Sequence, residues 1–233
     1  MAGTNYELTL VLAESALELV PRELWGHPSV YKYARRRGKP PGQILLDRSI
    51  HHQAMLRLPR SEKRGRPDIV HVSLLAALDS PLNREGMLKV YVHTINDYVI
   101  WINPKTRIPR NYNRFVGLME QLFEVGQVPP NTPEPLITIQ PMNLPSLISH
   151  IGSIEVILLS ERGEQIKLAK LAARLAKAEN PVVIVGGFPH GDFEKETYDL
   201  ASEVYSIYGG RSLETWTVVS HVLAALAQEL SIV

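Results

Sequence analysis

The sequence predicts an α/β fold. Short runs rich in Val, Ile and Leu recur at residues 6–13, 154–159, 182–185 and 203–208. Amphipathic helical patterns occupy 164–178 and 214–230. Glycine pairs follow two of the apolar runs, at Gly186-Gly187 and Gly209-Gly210. Glycine at a strand end lets the backbone approach a ligand at the carboxyl edge of a sheet.

The chain has 233 residues, 45% of them hydrophobic, enough for one large domain or two small ones. A single domain over residues 1–233 is expected, with a basic region at about 35–120 and a ligand-binding region at about 150–233. There is no cysteine, which excludes disulfides, thiolate chemistry and cysteine-based zinc sites. No apolar run approaches the length that spans a bilayer. The start, MAGTNYELTLVLAES, lacks a basic n-region and reads as a first strand. A cytoplasmic protein is the expectation. The charge is divided unevenly. Residues 1–120 hold 18 Lys and Arg against 11 Asp and Glu, and residues 121–233 hold 7 against 13. The basic half is expected to meet a polyanion.

The elements follow in order. Tyr6 to Ala13 is a near-continuous apolar run, as in a buried strand. Pro28-Ser29 opens a helix that closes on Arg35, Arg36, Arg37 and Gly38, and cations there suit the helix dipole. Ile44 to Leu58 reads as a short strand or turn entering a helix capped by Asp47 or Ser49. His51 and His52 are adjacent, so no metal site is expected from them. Arg57 to Arg66 holds five Lys or Arg and reads as a phosphate-contacting loop. After Pro67 an apolar helix runs through Leu78, with Asp68 placed to cap it or to orient Arg66. Residues 88–94 and 98–103 alternate as a β-hairpin. Gln127 to Pro135 carries four prolines and reads as a surface loop.

The stretch Lys105 to Leu122 carries the most specific signal. Pro109 suits the first turn of a helix, and Phe115, Leu118, Met119 and Leu122 share one helical face. A helix starting there places Arg110 and Arg114 one turn apart, with Arg107 just before. Cations at a helix N-terminus oppose the dipole, so their placement makes sense around a bound phosphate. Neither glycine loop matches GxGxxG or GxxxxGK[ST], which disfavours dinucleotide and P-loop ligands. There is no GxSxG elbow, so a hydrolase lacks support.

Residues 66–83 (RPDIVHVSLLAALDSPLN), 89–94 (KVYVHT), 103–122 (NPKTRIPRNYNRFVGLMEQL), 183–191 (VIVGGFPHG) and Trp216-Thr217 resemble, in that order, the ribosome-biogenesis pseudouridine methyltransferases of the SPOUT superfamily. The similarity covers nearly the whole chain. It implies a SPOUT-type sheet with a C-terminal trefoil knot, and an inserted β-hairpin and basic helix. It also implies a homodimer and methyl transfer from S-adenosyl-L-methionine to ring nitrogen 1 of a pseudouridine in small-subunit ribosomal RNA. The partner would be an rRNA hairpin loop, with ribosomal proteins possible during small-subunit biogenesis. By position, RNA contact falls on Arg66, Arg107, Arg110 and Arg114. Asp68 holds Arg66, and these two carry the catalytic expectation. The cofactor loops fall on Leu159, on Gly186 with Gly191, Asp192 and Phe193, and on Ile207, Tyr208, Gly209, Gly210, Arg211, Ser212 and Leu213. Many relatives have Pro-Leu where this chain has Ser212-Leu213. No metal is implied. A non-catalytic RNA-binding assembly factor is the alternative, and it would use the arginines without the glycine loops.

Overall fold

The structure, a computed structural model, describes residues 6–153 and 155–233. Among these, eight strands form one mixed sheet. They are β1 (Leu8–Ser15), β2 (Leu88–Thr94), β3 (Tyr98–Ile102), β4 (Gln127–Val128), β5 (Ile137–Pro141), β6 (Val156–Gln165), β7 (Val182–Gly186) and β8 (Glu203–Ser206). The spatial order is β4-β5-β3-β2-β1-β7-β6-β8. The five strands from β2 to β8 pair in parallel, while β3, β5 and β4 form an antiparallel wing.

Alternation along β1 and β7 sorts the core into two layers. Leu8, Leu10, Leu12, Val183 and Val185 face α3 (Pro67–Leu78), α5 (Tyr112–Val125), α7 (Leu168–Lys177) and α9 (Thr215–Glu229). Val11, Ala13, Val182 and Ile184 face α6 (Leu144–Ile151) and the loop holding Phe193. Both faces are covered, which explains why these strands read as continuous apolar runs. A satellite core joins α1 (Pro28–Arg37) and α2 (Arg48–Met55) through Val30, Ala34, Ala54 and Met55. It is tied to α5 by Glu120, whose fully buried carboxylate accepts from Arg37 Nη2 and Lys39 Nζ, each at 2.8 Å. The short helices α4 (Pro81–Arg84) and α8 (Lys195–Asp199) complete the chain.

Several expected elements are confirmed and others are moved. Gly38 ends α1 at φ 64°, Asp47 Oδ1 caps α2 through Ser49 N at 2.8 Å, and the 88–102 hairpin is present. Ile44 begins no strand, since Leu45 makes only an isolated bridge to Leu19. The helix expected from Glu164 starts at Leu168. Glu164 and Gln165 continue β6 instead, because β6 shifts register and pairs with β8 twice, Leu159↔Tyr205 and Glu164↔Tyr205. Residues 160–163 thus wrap around Tyr205. Gly163 is required there, since a Cβ would sit 2.5 Å from the Tyr205 carbonyl carbon. Ile154, the first residue of the expected strand, lies outside the described residues. The proline-rich segment encloses β4, and β5, α6 and α8 had no counterpart in the sequence reading.

Candidate functional site

The register break of β6 after Leu159 and the loops leaving the carboxyl ends of β7 and β8 converge on one cleft of about 710 Å³, counted to its open mouth. That size suits a small-molecule site. Leu159 and Val185 contribute strand ends. Gly186 closes β7, Phe188, Gly191, Asp192 and Phe193 come from the loop after it, and Ile207, Tyr208, Arg211, Ser212 and Leu213 from the loop after β8. Gly209 and Gly210 do not line the cleft. They turn the chain behind it at φ 61° and 74°, and Gly210 N donates to Ser206 Oγ at 2.9 Å.

The cleft is braced from several directions. Thr215 Oγ1 donates to Gly186 O at 2.6 Å, fixing the start of α9 to the end of β7. Gly187 N donates to Ala13 O at 2.8 Å, and Ala16 N donates to Gly187 O at 2.9 Å. A Cβ on Gly187 would meet Ser15 Oγ at 2.1 Å, so this close approach needs glycine. Asp192 Oδ1 accepts from Tyr198 Oη at 2.6 Å and from Phe193 N at 2.9 Å, while Oδ2 pairs with Arg162 Nη1 at 2.8 Å. Burial, then the bond to Asp192, pushes the Tyr198 phenol up to about 12. Its proton therefore stays in place at neutral pH. Ser160, Glu161, Phe188, Tyr205, Thr215 and Val218 also line the cleft and were not anticipated. Ser160 and Glu161 directly follow Leu159, and Phe188 follows the glycine pair, so adjacency was the available signal. Arg162 and Tyr198 are linked only through the fold.

Of the four expected RNA-contacting arginines, Arg66 is joined to this cleft, whereas Arg107 and Arg110 lie by Leu78, Asp79 and Arg84 at the other end of α3. Arg66 is half-buried, and its Nε and Nη2 both donate to Asp68 carboxylate oxygens at 2.8 Å. The bidentate bond to Asp68 raises the Arg66 pKa, against opposing burial. Arg66 N donates to Ala16 O at 3.2 Å, next to the Ala13–Gly187 bridge that braces the cleft. The Arg66 guanidinium also feels Glu214, the residue after Leu213. Two backbone steps therefore connect the cleft loop to the Arg66–Asp68 pair.

Arg107, Arg110 and Arg114 are exposed, and none has a carboxylate within salt-bridge distance among the described residues. The helix start differs from the sequence expectation. α5 begins at Tyr112, capped by Asn111 Oδ1, which accepts from Arg114 N at 3.1 Å. Arg107 and Arg110 therefore lie in the irregular approach to the helix, and only Arg114 sits in its first turn. Pro109 serves differently too. Its carbonyl is 2.7 Å from His71 Nε2, which must carry the proton because a carbonyl only accepts. His71 stacks on Phe115 at 4.4 Å, holding α3, and with it Asp68, against the start of α5.

The loop 57–66 is also corrected. Lys63 is buried against Glu14, Arg64 is paired with Glu18 at 2.6 Å, and Arg60 with Glu194 at 3.1 Å. Lys63 and Arg64 are engaged inside the protein and Arg60 in an exposed ion pair, so the loop offers a polyanion less free charge than its count suggests.

The EMG1/NEP1 methyltransferase family model matches residues 10–227. The chain is 51% identical to the ribosomal RNA small subunit methyltransferase Nep1 of Staphylothermus marinus over 93% of each chain. It is 50% identical to the Nep1 of Thermococcus kodakarensis, over 93% of this chain and 96% of that one. The crystal structure of Archaeoglobus fulgidus Nep1 bound to S-adenosylhomocysteine superposes with a TM-score of 0.84 at 41% identity, covering 98% of this chain and 100% of that one. With a matching family model over most of its length and relatives at half identity, the chain belongs to the EMG1/NEP1 methyltransferase family.

Proposed function

We propose that this protein transfers a methyl group from S-adenosyl-L-methionine to ring nitrogen 1 of a pseudouridine in a small-subunit rRNA hairpin loop, as a step in small-subunit biogenesis. The observation that carries this reading is the joining of a small-molecule cleft to the Arg66–Asp68 pair through Ala13, Ala16 and Gly187. The A. fulgidus relative holds S-adenosylhomocysteine, and the curated relatives are named rRNA methyltransferases. The lining, rich in backbone groups and apolar side chains, suits an adenosyl group, with Asp192 already engaged by Tyr198 and Arg162. The double pairing of β6 with β8 around Tyr205 supports a chain threading of the trefoil-knot kind. A homodimer, a cytoplasmic setting and contact with ribosomal proteins belong to the same reading.

S-adenosylmethionine, when bound, supplies an electrophilic methyl group. Ring nitrogen 1 would lose its proton to solvent as the new N–C bond forms, and the methyl–sulfur bond that breaks would leave S-adenosylhomocysteine. Asp68 spends both oxygens on Arg66, so it acts as an orienter and not as the base. The Arg66 guanidinium, fixed in direction, stabilises negative charge developing on the base. Arg107, Arg110 and Arg114 bind phosphates and present an unpaired loop base, which leaves the stack at little cost. The test incubates the protein with S-adenosylmethionine and a pseudouridine-bearing hairpin, then digests the RNA to nucleosides. Mass spectrometry should find methylated pseudouridine matching an N1-methyl standard. Unmodified pseudouridine with retained hairpin binding would favour the assembly-factor alternative.

A further inference from the structure

Lys63 stands apart from the other cations of its loop. It is 3% exposed, and so is buried with Glu14, which is 5% exposed. Its ammonium pairs with Glu14 Oε2, donates to Asp192 O at 2.6 Å and lies 4.3 Å over the Phe188 ring. Both Asp192 and Phe188 line the cleft. The other Glu14 oxygen accepts from Glu194 N at 2.9 Å and Thr197 Oγ1 at 2.7 Å. Glu14 takes φ 49°, a left-handed conformation that costs a non-glycine residue energy and is kept where surrounding structure demands it. Glu14 N donates to His93 Nδ1 at 3.2 Å, and His93 Nε2 is 3.0 Å from Asp97, which anchors the pair to β2. Three residues after Lys63, Arg66 begins its pairing with Asp68.

We propose that Lys63 is a positioning residue that sets the cleft loop 187–194 and the Arg66–Asp68 pair in one frame. The inference rests on the methyltransferase reading. A buried ion pair is weak support for stability alone, since apolar packing often replaces one without loss. The contacts of this pair end instead on the wall of the cleft. Lys63 reaches across from the basic half to hold a backbone carbonyl and a ring there, and Glu14 holds the Glu194 backbone N–H.

The test pairs Lys63→Met with Glu14→Gln, so that no buried charge is left unpaired. Glutamine keeps an acceptor for Glu194 N and Thr197 Oγ1, while the Asp192 carbonyl loses its donor. In the folded double variant the KM for S-adenosylmethionine should rise about tenfold, as displacement of a binding wall does, with kcat within about threefold. Arg60→Ala, which removes only the exposed pair with Glu194, should stay within about twofold. An unchanged KM in the folded double variant overturns the inference. Should that variant fail to fold, hydrogen exchange on the wild-type protein decides. Saturating S-adenosylhomocysteine should slow exchange in both 187–194 and 61–66. Slowing confined to 187–194 overturns the inference. A wild-type protein that binds no S-adenosylhomocysteine overturns the methyltransferase reading itself, an outcome distinct from the two above.

Discussion

Replacing Arg110 with alanine isolates the electrostatic part of RNA binding. The side chain is exposed, lies at a bend before α5, and has no carboxylate within salt-bridge distance among the described residues. Its loss leaves no buried partner stranded, so folding stability should change by less than about 0.5 kcal/mol. Each phosphate contact contributes roughly 0.7–0.9 to the slope of log affinity against log salt. Between 50 and 200 mM salt, one such contact accounts for about a threefold change in affinity. Arg110→Ala should therefore flatten the slope by roughly 0.7–0.9 and bring its affinity closest to wild type at high salt. Arg84→Ala serves as comparison, since Arg84 is already paired with Asp79 at 2.5 Å and should change the slope less. Fluorescence anisotropy of a labelled rRNA hairpin, titrated at four or five salt concentrations, measures this directly. An unchanged slope with unchanged affinity would show that Arg110 meets no phosphate.

Three further outcomes are expected. Asp68→Asn keeps one acceptor for Arg66 but turns an amide donor toward its guanidinium. Because the pair is partly exposed, stability should fall by about 1 kcal/mol or less, while methyl transfer falls about 10–100-fold; equal, small losses in both would remove the orienting role. Gly163→Ala forces a Cβ against the Tyr205 backbone and should cost about 1–3 kcal/mol, read as a lowered denaturation midpoint; a wild-type midpoint would mean that the β6–β8 crossing relaxes freely. Burial holds the buried rings of His51 and His93 below the ordinary histidine value of about 6.5, so the unfolded chain binds more protons as pH drops through that value. Their contribution to stability is complete above that value and is lost as pH falls toward the folded-state values. Denaturation midpoints should decline from pH 7 to pH 5, and less steeply in His51→Gln; a flat profile in the wild type would contradict the assignment.

The parallel core was legible because burial on both faces imposes unbroken apolar runs, as in Leu10 to Ala13 and Val182 to Val185. The loops after β7 and β8 were legible because glycine marks them. The antiparallel wing was not. Its strand β5 is short and half-exposed, follows a proline-rich stretch, and acquires its identity by pairing with β3 and β4. The start of α5 was misplaced because Pro109 and Asn111 both carry helix-start chemistry, and only the contact from His71 to Pro109 O separates them. The helix expected at Glu164 hid a second register of β6, which depends on Tyr205 some forty residues away. Arginine counting overstated the free charge of residues 57–66, since the partners Glu14, Glu18 and Glu194 are remote in sequence. The Arg66–Asp68 pair was readable because both ends lie within one tripeptide at a helix start.

Methyl transfer from radiolabelled S-adenosylmethionine to two matched small-subunit rRNA hairpins, one with pseudouridine at the target position and one with uridine, tests the central claim most directly. Label is expected only in the pseudouridine hairpin, since nitrogen 1 of uridine is bonded to the sugar and uridine presents a C5–H where pseudouridine presents its N1–H. Equal labelling of both would contradict the assignment of ring nitrogen 1, and label in neither, with tight binding retained, would make the protein an RNA-binding assembly factor.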